Sequence, residues 1–83
     1  MRTIYKYALA FGNTIQVPAG EIVHVGHDPS GVECVWVDHD TTTQKMLDVC
    51  VVGTGHTVPE DYTHAGSYLS GRFVWHVYFK EVV

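Results

Sequence analysis

Positive charge is the scarcest ingredient of this chain. Arg2, Lys6, Lys45, Arg72 and Lys80 are its only lysines and arginines, against nine acidic residues and a formal net charge of −4. Binding along a nucleic acid requires clustered cations that neutralise successive phosphates, so an extended nucleic-acid partner is excluded. A compact anion is not, because two or three positive groups and a few backbone amides suffice to hold one. Charged residues of both signs total only 17%, where soluble domains carry about 25%. The two cysteines, Cys34 and Cys50, form no Cys-x-x-Cys pair. They read as buried thiols in a reducing cytoplasm, since a disulfide would require their strands to be neighbours in register. No apolar run reaches membrane-spanning length, and Met1 to Tyr5 lacks the apolar core of a signal peptide. A cytoplasmic location and no membrane partner are therefore expected. No repeat, linker or convincing amphipathic helix is present either.

What is present is alternation. At 83 residues the chain is expected to be one domain, spanning 1–83, with a thin core. Hydrophobic residues at 46% and many aromatics leave apolar surface that a second copy could cover, so a homo-oligomer is expected. Tyr5 to Leu9 and Thr14 to Val17 alternate as two strands around Gly12-Asn13, and predict a hairpin. Glu21 to His27 and Val32 to Asp38 predict a second hairpin around Asp28-Pro29-Ser30-Gly31, a strong tight-turn signal. His39 to Thr43 reads as a connecting loop, and Lys45 to Val52 as a further strand. Glu60 to Gly71 shows no period of two and reads as a structured loop. Arg72 to Phe79 is the most aromatic strand, with Phe73, Trp75, Val77 and Phe79 on one face and Val74, His76 and Tyr78 on the other. These readings predict an all-β fold: a small antiparallel sheet, sandwich or partly open barrel of about six strands, with one long loop near the C-terminus.

The stretch Val51-Val52-Gly53-Thr54-Gly55-His56, followed by Thr57-Val58-Pro59, concentrates the chemistry. An apolar strand ends in two glycines around a threonine, where backbone amides can turn toward an anion. No Gly-Lys-Ser/Thr follows, and no third glycine opens a helix, so neither a P-loop nor a dinucleotide fingerprint is present. A bulge and sharp turn at a sheet edge is the competing, purely structural reading. The six histidines do not form a metal pattern: His24 and His27, three apart in a strand, point to opposite faces, and the rest are scattered. No metal or other cofactor is expected. Cys50 or Ser67 could meet His56 or His64 and Asp61 in space, a pairing that only geometry can establish. Tyr5, Tyr7, Trp36, Tyr62, Tyr68, Trp75 and Tyr78 read mostly as core by default, but Tyr62 and Tyr68 can instead stack on a planar ligand, and Arg72, before the aromatic strand, is the best-placed cation for a phosphate.

In combination these blocks resemble a family of small uncharacterised proteins encoded by phages and bacterial genomes. The resemblance rests on Tyr5-Lys6-Tyr7, Val17-Pro18-Ala19-Gly20, Ile22-Val23-His24-Val25-Gly26, the Val51 to His56 block with Pro59 after it, and Phe73-Val74-Trp75-His76. It covers nearly the whole chain and implies a phage context in a host cytoplasm, where small proteins often inhibit host defence or sequester its signals. The leading expectation is a non-enzymatic, oligomeric binding protein for a small anionic molecule, such as a nucleotide immune signal. Gly53, Thr54, Gly55, His56, Tyr62, Tyr68 and Arg72 are its expected ligand-binding residues. A structural or protein-interaction module, as a phage particle component or an inhibitor of a host protein, is the alternative, and a small hydrolase dependent on His56 comes third.

Overall fold

The computed structural model describes residues 1–82, which contain seven strands and no helix. The strands are β1 (Arg2–Ala8), β2 (Ile15–Pro18), β3 (Glu21–His27), β4 (Glu33–Asp40), β5 (Met46–Gly53), β6 (Thr63–Ser70) and β7 (Phe73–Val82). They form two antiparallel sheets, a three-stranded one ordered β1-β4-β3 and a four-stranded one ordered β2-β5-β7-β6. The architecture is all-β, as the alternation predicts, and it is not a closed barrel.

The inward faces of both sheets meet in a single core. From β4 come Val35 and Val37, from β5 Leu47 and Val49, from β2 Val17, from β6 Tyr68 and from β7 Val77. Of the three central strands, β4 and β7 supply side chains that are wholly inaccessible to solvent at these positions, and β5 supplies Leu47 and Val49, which are nearly so. At roughly 25 cal/mol per Å² of apolar area, fully burying one such aliphatic side chain is worth about 1.5–3 kcal/mol. A handful of valines and one leucine therefore carry most of the cohesion. The sheets also approach closely at β3 and β6, where a Cβ on Gly66 would collide with Val25 Cγ2.

The second predicted hairpin forms, with β3 and β4 joined through the expected turn. Asp28 Oδ1 accepts the backbone N–H groups of Ser30 and Val32, each at 2.9 Å, and Gly31 donates to the Asp28 carbonyl. The first predicted hairpin does not form: β1 pairs with β4 and β2 with β5, so the Gly12-Asn13 segment carries the chain from one sheet to the other. Burying each strand's apolar face against the opposite sheet outweighs the local turn signal.

Two further expectations are corrected. His39 and Asp40 extend β4 instead of opening a loop, and His39 is buried, with its Nε2 3.2 Å from the Tyr7 hydroxyl and its ring stacked on Tyr5. The expected loop over Glu60 to Gly71 is mostly strand β6. A bulge at Ala65 shifts the β6–β7 register between His64 and Gly66, so the alternation of faces breaks in mid-strand. That break hid a seventh strand from a period-of-two reading. The long connection near the C-terminus is residues 54–62 instead.

Candidate functional site

The glycine-flanked stretch is the end of β5 and a turn that leaves it. The His56 N–H donates to the Gly53 carbonyl at 3.0 Å, closing a four-residue turn with Gly55 at φ 91°. A positive φ at the third turn position is the type II geometry, for which glycine is the natural residue. Gly53 is constrained differently. A Cβ there would stand 2.9 Å from the Trp75 ring and 3.0 Å from His56 Nδ1. The missing side chain lets an indole and an imidazole close on the same backbone.

That approach shapes a groove of about 500 Å³ lined by Gly53, Thr54, His56, Arg72, Phe73, Val74 and Trp75. Trp75 also walls a neighbouring hollow of about 510 Å³, which reaches Phe11, Glu33 and Ser70. Phe11 packs against Trp75 with ring centroids 5.0 Å apart, and Phe73 does so at 6.2 Å. The two hollows differ in charge: the first carries the Arg72 guanidinium, the second the Glu33 carboxylate, which accepts the Ser70 hydroxyl at 2.9 Å. An anion is favoured in the first and repelled from the second.

The cations elsewhere are engaged. Arg2 pairs with Asp38, Lys6 with Asp28 at 2.7 Å and Lys45 with Glu81 at 3.5 Å, while Lys80 lies over the Tyr62 ring at 5.3 Å. Among the described residues Arg72 alone has neither a carboxylate nor a ring as partner. Its position follows from the two-residue β6–β7 hairpin loop. Gly71 there has φ 61° and Arg72 follows, so the guanidinium stands at the sheet end beside Phe73.

A family model described as a domain of unknown function, DUF7352, matches residues 1–83, the whole chain. The chain belongs to DUF7352. No curated protein and no solved structure matches it.

In this DUF7352 member, four of the expected ligand residues share one groove: Gly53, Thr54, His56 and Arg72. Gly55 shapes the adjoining turn. The two tyrosines go elsewhere. Tyr68 points into the core, only 7% exposed, with its ring edge-on to His27, so it cannot stack on a ligand in the groove. Its hydroxyl has no hydrogen-bond partner among the described residues, and burial, with the Glu33 charge behind it, pushes its pKa up to about 12. Tyr62 engages Lys80 instead. Sequence reasoning missed Trp75, Phe73 and Phe11 as groove residues. It placed Trp75 in the core by default and did not single out Phe73 or Phe11, yet Phe73 is 64% exposed and Phe11 47%.

The DUF7352 histidines sort in the same way. Among the described residues no group of three or more His, Cys, Asp or Glu side chains could hold a metal. His24 packs on Trp36, and His76 is held at both ring nitrogens, by the hydroxyls of Thr54 and Ser67. Cys34 and Cys50 lie on different sheets as free thiols. Burial raises the pKa of both, helped by Asp28 at Cys34 and by Asp48 at Cys50, which makes them poor nucleophiles.

Proposed function

We propose that this DUF7352 chain is a binding protein that sequesters a small anionic molecule bearing a planar ring, with a nucleotide as the best-fitting chemistry. Arg72 carries this reading, as the one described cation without a partner, set in a groove whose wall is the Trp75 indole. A guanidinium binds phosphate oxygens in a bidentate fork, and an indole face takes a base by stacking. His56 and the exposed Thr54 at the groove edge add hydrogen-bonding capacity. The Glu33 carboxylate in the neighbouring hollow supports a single orientation, with phosphate toward Arg72. In a phage-encoded member, holding a host immune nucleotide without cleaving it would blunt that defence from within the host cytoplasm. Self-association fits the exposed apolar side chains around the groove, Leu69 at 67% and Phe73 at 64%.

Isothermal titration against a panel of cyclic and linear nucleotides tests the reading. The expected result is saturable binding that is lost in Arg72→Ala and weakened in Trp75→Leu. Folded wild-type protein that binds no member of the panel would sink it. The same exposed apolar residues favour a second reading, a protein-interaction module, in which Arg72→Ala leaves the interaction intact while Leu69→Ser abolishes it.

A further inference from the structure

The outer face of the four-stranded sheet carries a hydrogen-bonded chain of side chains that meets the groove only at Thr54. His76 on β7 stands between two hydroxyls, with Ser67 Oγ 2.7 Å from its Nδ1 and Thr54 Oγ1 2.9 Å from its Nε2. Thr54 Oγ1 also lies 3.1 Å from the Val74 carbonyl, and His64 Nε2 lies 3.1 Å from Ser67 Oγ. The bulge at Ala65 makes this possible. His64 and Ser67 are three residues apart and would face opposite ways on a regular strand, but the extra residue returns them to one face.

With His76 neutral, counting protons gives the direction of every bond. A carbonyl can only accept, so the single Thr54 hydroxyl proton goes to Val74 and Thr54 Oγ1 must accept from His76 Nε2–H. His76 is then the Nε2–H tautomer, and its Nδ1 lone pair accepts the Ser67 proton. Ser67 Oγ in turn accepts from His64 Nε2–H, which occupies one lone pair and leaves the other open. Ser67 and His64 are exposed, so a reagent in solvent can reach that oxygen. A hydroxyl in hydrogen-bond contact with a base, with the base oriented by a third group, is the constellation that activates a nucleophile.

We infer that Ser67 is an activated nucleophile, a covalent acceptor site for acyl groups from activated esters, with His76 as its general base and Thr54 as the residue that positions His76. In the step, Ser67 Oγ forms a bond to the ester carbonyl carbon while its proton passes to His76 Nδ1. The carbon–oxygen bond to the leaving alcohol breaks, and that oxygen departs with the electron pair. The imidazolium then returns its proton to solvent or to the leaving group. The products are acyl-Ser67 and free alcohol, with no oxidant or metal involved. Arg72, which carries the nucleotide reading, takes no part, so acylation of Ser67 and nucleotide binding are read separately although Thr54 borders both.

The test is acetylation of the full chain by p-nitrophenyl acetate, followed by peptide mass spectrometry over time. The direct readout is acetyl on Ser67, because histidines also release nitrophenolate. Ser67 is expected to acetylate roughly a hundredfold faster than Ser30, an exposed turn serine with no imidazole partner, in line with general-base catalysis. His76→Gln should remove that advantage. Thr54→Val should lower it, while Thr54→Ser, which keeps the hydroxyl, should restore it. Equal labelling of Ser67 and Ser30 in the wild-type protein would overturn the inference, whatever the fate of the variants. So would an unchanged Ser67 rate in folded His76→Gln.

Discussion

The two sheets handle their polar groups in opposite ways. On the three-stranded sheet the charges are matched: Arg2 with Asp38, Lys6 with Asp28, and Asp40 with Thr42 and the N-terminus. On the four-stranded sheet, at the end where β5 gives way to its turn, an arginine has no carboxylate and a buried phenol has no acceptor among the described residues. There Thr54, Ser67, His64 and His76 bond to one another and to one carbonyl. Matched groups hold a fold together, and left-over groups are available to a ligand or a reagent. On the proposed reading, that end of the four-stranded sheet is where a ligand or a reagent would act.

The strongest way to break that contrast is to force the sheets apart. Gly66→Ala puts a Cβ into the Val25 side chain where β6 meets β3. Overpacking of this kind costs typically 1–3 kcal/mol, and a loss in that range is expected in urea unfolding. A change below about 0.5 kcal/mol would mean that the β3–β6 contact yields easily.

Acid sharpens the contrast from the charged side. Lys6 and two backbone amides hold the Asp28 carboxyl below its ordinary pKa, Arg2 does so for Asp38, and Thr42 for Asp40. A depressed carboxylate contributes stability above its unfolded pKa of about 3.9, and that contribution is lost as pH falls through the lower folded value. The urea midpoint should therefore hold steady down to about pH 4 and then drop. Asp28→Asn should flatten the drop, while Arg72→Ala should leave its shape untouched. An identical acid profile in Asp28→Asn would remove the structural role of the Lys6 pair.

The smallest effect concerns the unpaired phenol. Tyr68→Phe deletes a buried hydroxyl that bonds to no described group, so it should cost nothing and stabilise by up to about 1 kcal/mol. Thermal unfolding measures it. A loss of more than about 1 kcal/mol would show that the hydroxyl makes a bond worth keeping.

Most strands were legible in the sequence because alternation survives wherever one face packs on a core and the other faces water. Val35 and Val37, or Leu47 and Val49, announce themselves in this way. Strand β6 was not legible, because a bulge reverses its alternation midway and places Gly66 and Ser67 where a loop would be read. The turn at Gly53 to His56 was legible from its glycines, and Arg72 from its place after Gly71. The burial of Tyr68 was legible only as the default for any aromatic, since a tyrosine in an apparent loop carries no further mark of burial.

The sequence by itself determined the all-β class, the Asp28 to Gly31 turn, the weak positive charge and the abrupt end of β5 at Gly53. Each is a local property, set by side-chain alternation, backbone dihedral preference or composition. Tertiary structure decided which strands pair, which cation is left over and which hydroxyl meets which imidazole. Thr54, Ser67 and His76 are brought together from three separate segments by sheet register and by one inserted residue, and no local pattern encodes such a meeting.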